Sequence, residues 1–178
     1  MLVIPVAPFM PQRAGAVVVY SATLAGSDGA FDGLTFVQYL ASSVLLSATG
    51  SHVSVEVLFH AFPNGSTAVA YFGRCTGSYQ FTGDQVQLTW AGNGTLTGNG
   101  STLDYTSDTV ALGSAYDHTQ NYALAVQITG SGTYFAYDST QSALHCYYKS
   151  GADAATTAKT GYNTLGPNDE LVKKITIS

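Results

Sequence analysis

The sequence predicts an all-β protein, an antiparallel β-sandwich of jelly-roll type with about eight to ten strands. Three observations carry this expectation. Apolar residues alternate with period two along several segments, glycine-rich turns punctuate the chain about every ten residues, and charge is scarce. Charged residues make up 10% of the chain and hydrophobic ones 46%. Helical bundles fill their solvent faces with Lys and Glu, but this sequence has six Lys and Arg together, and its only glutamates are Glu56 and Glu170. Gly, Thr, Ser, Val and Tyr dominate, which are residues of strands and tight turns.

The clearest strand is 52–61, where Val53, Val55, Val57, Phe59 and Ala61 share one face. Pro63-Asn64-Gly65 ends it and 67–72 resumes in β-rich chemistry, so the pair reads as a hairpin. Segment 17–24 reads as a strand closed by Gly26-Ser27-Asp28-Gly29. Strands 34–40 and 44–48 follow, the second closed by Thr49-Gly50, and 85–90 alternates after Gly83-Asp84. Segments 122–128, 133–137, 143–149 and 171–177 complete the set. Gly92 to Ser101 reads as a flexible loop or a twisted hairpin tip, and the Ala-rich stretch 150–159 is the single candidate helix. One sandwich domain over 15–178, preceded by an extended N-terminal arm over 1–14, describes the chain.

Composition also bounds function. A net charge of −5, with the cations scattered, offers no basic stripe for phosphates, so no nucleic acid is expected as a partner. No run approaches the ~18 apolar residues of a membrane span. Residues 1–10 are apolar but contain Pro5 and Pro8 and no early Lys or Arg, which reads as an arm rather than a signal peptide. Val3, Ile4, Val6 and Phe9 are its candidate contacts for assembly onto a partner.

Catalytic constellations do not stand out, and the expectation is a non-enzymatic protein without a cofactor. Cys146 is the only cysteine beside a histidine, but His145 and Cys146 on a strand point to opposite faces. Cys75 and Cys146 read as buried free thiols, with a disulfide across the sandwich as the alternative. His52 and His60 share a strand face but lie about 26 Å apart, too far for one ion. Asp28 and Asp32, in Asp28-Gly29-Ala30-Phe31-Asp32-Gly33, are weak calcium candidates. Two acids fall short of the roughly six to eight oxygen ligands that calcium takes.

Sugar binding is better supported by residue type. Tyr116-Asp117-His118-Thr119-Gln120-Asn121-Tyr122 places two aromatics and several hydrogen-bonding side chains in one loop and strand start. Rings stack on pyranose C–H faces while polar groups orient hydroxyls. The glycan candidates are therefore Tyr116, Asp117, His118, Asn121 and Tyr122. The alternative is a polar turn whose tyrosines pack on the sandwich edge.

The Pro-containing apolar start, the Val/Thr/Tyr strands between Gly-rich turns, and the segments 122–135 and 143–151 together carry a family likeness. On these features the chain resembles the small accessory proteins (decoration, head-spike or fibre type) of tailed bacteriophages and gene-transfer-agent particles. The resemblance implies a structural or attachment protein, made in the bacterial cytoplasm and carried on the virion surface. Its implied partners are other particle proteins and host-surface polysaccharide, and it implies an oligomer or a larger assembly. It transfers no catalytic residue. A free-standing lectin or carbohydrate-binding module is the alternative reading, and a polysaccharide-active enzyme the third.

Overall fold

Runs of β-branched and aromatic residues fold as two facing antiparallel sheets in the computed structural model, which describes residues 15–77, 79–101, 103–138, 144–166 and 169–178. The chain opens with β1 (Val17–Ser21), β2 (Gly26–Ala30), β3 (Leu34–Leu40), β4 (His52–Ala61) and β5 (Thr67–Thr76). Short pairings follow as β6 (Gln80–Phe81), β7 (Val86–Gln87), β8 (Leu96–Thr97), β9 (Asp104–Thr106) and β10 (Val110–Ala111). The rest is β11 (Tyr122–Thr129), β12 (Tyr134–Asp138), β13 (Leu144–Ser150), β14 (Asn163–Gly166), β15 (Asp169–Glu170) and β16 (Val172–Ile177).

The connectivity is that of a jelly roll. One sheet contains the order β2, β12, β4, then β9 and β10; the other contains β3, β11, β5, then β7 and β8. Going from β2 to β12 the chain crosses between sheets repeatedly, which leaves β2 and β3, β4 and β5, and β11 and β12 in opposite layers. Two interlocked Greek keys produce this pattern. The remaining strands widen it: β13 and β14 extend the second sheet beyond β3, while β16 and β1 extend the first along β4.

The core lies between the sheets. Val53, Val55, Val57 and Phe59 of β4 meet Tyr122, Leu124, Val126 and Ile128 of β11 across it, all buried. Phe31 stacks on Phe135 with centroids 4.2 Å apart, and Phe59 on Phe62 at 4.3 Å. A second, smaller cluster covers the outer face of β11. There Ala123 and Ala125 lie under Val37, Cys75, Phe81 and Ala154, rimmed by Tyr39, Tyr71, Tyr79, Tyr147 and Tyr162. This explains why β11 is buried on both faces instead of alternating.

Several expected elements differ. Gly26 to Gly29 is strand β2, not a turn: a Cβ on Gly26 would lie 2.3 Å from the ring of Tyr137, its ladder partner. Glycine there marks close approach. Residues 44–48 form no strand. Val44 ends a 3-10 turn at Ser42–Val44, and Val44 and Leu45 pack inward. The Pro63-Asn64-Gly65 turn exists, with Gly65 at φ +83°, but β4 and β5 leave it into opposite sheets, so the unit is an arch and not a hairpin. Strand 85–90 shrinks to β7, and 92–101 contains β8. The Ala-rich 150–159 stretch makes β13's last residue and turns, with no helix longer than the 3-10 turn among the described residues. The arm residues Val3, Ile4, Val6 and Phe9 lie outside the described residues.

Candidate functional site

The Tyr116–Tyr122 segment connects β10 to β11, and its order comes from inside. The Asp117 carboxylate accepts the Thr119 N–H at 2.9 Å and its hydroxyl at 2.7 Å, while Gln120 N–H reaches the Asp117 carbonyl at 3.0 Å. These bonds form an Asx turn, and the Thr119 donors hold the Asp117 carboxyl below the usual range. Asn121 uses its Oδ1 to accept the Ser42 N–H at 2.8 Å, which holds the start of the 3-10 turn.

Both tyrosines belong to the core, which corrects the expectation that their rings stack on sugar. Tyr122 is 1% exposed and Tyr116 is 7% exposed. Their ring centroids lie 5.4 Å apart in a stack, and Tyr122 also stacks on Phe72 at 5.4 Å. The Tyr122 hydroxyl accepts the Asp117 N–H at 3.0 Å, and the Tyr116 hydroxyl donates to the Leu46 carbonyl at 2.9 Å. Burial pushes both phenols above their ordinary pKa. His118, Thr119 and Gln120 remain at the surface. A period-two reading places Tyr122 on a face but cannot say that the sandwich closes over it.

The acids are used as clamps. Asp32 accepts the Gly132 N–H at 2.7 Å and the Thr133 N–H at 3.1 Å, tying the β2–β3 turn to the loop before β12. That engages both carboxylate oxygens in the fold; the Asp28 side chain, the other calcium candidate, lies outside the described residues. Asp108 accepts the N–H groups of Ala91 and Gly92 and the Thr89 hydroxyl, and these hold its carboxyl low. They stabilise a turn in which Ala91 takes φ 50° and Gly92 φ 78°. A non-glycine residue rarely adopts that left-handed backbone. Asp84 pairs with Arg74 at 2.5 Å, so that, against the upward push of burial, hydrogen bonds from Thr82 and Arg74 hold it low.

Cations are consumed in the same way. Lys173 bridges Glu56 and Asp104 at 2.9 Å each, Lys174 pairs with Glu56, and Lys149 lies 3.5 Å from Asp153. Lys159 is fully buried, donating to the Asp153 and Ala154 carbonyls and lying 5.1 Å from the Phe81 ring centroid. Desolvation pulls its pKa down to about 8. Nothing in the polar run Thr156 to Thr160 signals a buried lysine, because the pattern there is neither period two nor apolar.

Cys146 sits in the main core and its thiol donates to Gln38 Oε1 at 3.0 Å, while His145 faces the outer side near Tyr39. Cys75 belongs to the outer cluster, so the two free thiols occupy opposite faces of one sheet. Burial pushes the Cys75 thiol up to about 12, which keeps it protonated at neutral pH. Among the described residues no three His, Cys, Asp or Glu side chains converge on a metal-sized site.

No protein-family model matches the chain, and no curated protein matches it at a significant level.

Proposed function

We propose that the chain is a non-enzymatic structural or attachment protein that assembles onto a phage-like particle. The observation that carries this reading is the way the jelly roll spends its charge. Every described Lys and Arg, and each described acid clamp above, is committed to holding the fold together. With charged residues only 10% of the chain, the surface offers few charges that would have to be desolvated against other protein. Jelly rolls also form capsid and lectin domains, an analogy of fold that agrees with the reading and does not carry it.

The lectin alternative loses its stacking rings, because Tyr116 and Tyr122 are interior. Attachment through a glycan would use other surface. Deleting Met1 to Pro11 tests the assembly reading: incorporation into particles is expected to disappear while the sandwich keeps its unfolding midpoint. Incorporation at the wild-type level would overturn the role of the arm.

A further inference from the structure

Among the described residues β1 is an edge strand, paired on one side by β16. Natural edge strands are blunted by Lys, by Pro or by cover from another segment. β1 reads Val17-Val18-Val19-Tyr20-Ser21 and carries no charge. A register shift between Val18 and Tyr20 frees Val19, whose carbonyl accepts the Leu46 N–H at 2.9 Å, so cover begins there. The residues before it are uncovered, with Val17 at 40% and Val18 at 43% exposure.

Leu46 lies next to this edge, beside Val19. Its side chain is 62% exposed, the highest among the large apolar residues that stand out at the surface. Its backbone is fixed from both sides, by Val19 through its N–H and by the buried Tyr116 hydroxyl through its carbonyl. A leucine presented to water from so firmly held a backbone is a surface feature and not a loop fluctuation. Beside it lies a shallow depression of about 240 Å³ bounded by Val19, Tyr20, Ser21, Val44 and Leu46.

We propose that this edge is a self-association surface, on which the open side of β1, with Val18 and Leu46 beside it, receives the apolar N-terminal segment of a second copy. The fourteen residues before Gly15 end three positions before Val17 and carry Val3, Ile4, Val6 and Phe9. Fully extended they reach about 46–50 Å, against a radius of gyration of about 15 Å for a domain of this size. Each copy therefore brings both an uncharged patch and an apolar segment long enough to cross to a neighbour's. A two-fold arrangement satisfies both patches at once. The proposal holds whether or not a particle is the final destination.

The test is sedimentation velocity of the purified full-length chain across a concentration series. It is compared with Val18→Lys/Leu46→Lys and, separately, with Val6→Glu/Phe9→Glu. The wild type is expected to associate, and each variant to raise the dissociation constant about tenfold or more with an unchanged circular dichroism spectrum. Leu46→Lys alone replaces the first pair if Val18→Lys prevents folding. A wild type that stays monomeric, or an oligomer that survives both variants, overturns the proposal. So does a monomer whose N-terminal segment resists protease until Leu46→Lys exposes it, because the segment would then lie on its own domain.

Discussion

Replacing Tyr122 with alanine separates a ring that builds the sandwich from a ring that meets a ligand. The side chain is 1% exposed, lies between Phe72 and Tyr116, and accepts the Asp117 N–H. Removing a buried aromatic ring costs about 3–5 kcal/mol, from lost transfer energy and the cavity left behind. At about 2–4 °C per kcal/mol for a domain of this size, the midpoint falls by about 6–20 °C. Tyr122→Phe keeps the ring and loses only the hydrogen-bond acceptor, a cost of about 0.5–1.5 kcal/mol. His118→Ala, at the exposed tip of the same segment, changes stability by less than about 0.5 kcal/mol. Urea unfolding with the slope checked for constancy ranks the three. Alanine at 122 costing no more than alanine at 118 would refute the placement of this segment in the core.

Asp32→Ala removes the acceptor of two backbone N–H groups and is expected to cost about 1–3 kcal/mol, read by the same unfolding assay. Millimolar calcium is expected to leave the wild-type midpoint where it is. For Lys159 the folded pKa lies near 8, below its ordinary 10.5, so the fold disfavours the proton and carries the full cost below pH 8. Wild type should therefore gain stability on Lys159→Met as pH rises from about 8 toward 10.5, and a difference independent of pH would contradict the burial of the ammonium group. Both thiols should resist alkylation in the native state and react once the chain is unfolded. Reaction of neither in denaturant would indicate a disulfide instead.

Much of the fold was legible because its signals are local. The period-two pattern of 52–61 and the β-rich run 122–128 became β4 and β11 nearly as read. The arch at Pro63-Asn64-Gly65 looks like a hairpin in sequence because alternation marks which face is buried, not whether two strands share a ladder or face each other across a core. Gly26 reads as a turn in sequence because glycine signals both positive φ and close approach, and only the Tyr137 ring distinguishes them. The site was less legible for a related reason. Tyr116 and Tyr122 have the chemistry of a sugar platform, but their availability depends on long-range closure that no local pattern records. Leu46 was read as part of a strand, and only its pinned backbone reveals an apolar side chain held at the surface.

The proposed role is that of a particle component that works through its surfaces. Its most direct test is a density-gradient fractionation of lysate from the producing cells, with the chain quantified in every fraction by mass spectrometry. Co-sedimentation with intact particles, retained after a high-salt wash, is the predicted result. Recovery of the chain in the free-protein fractions, with particles present but devoid of it, would contradict the account.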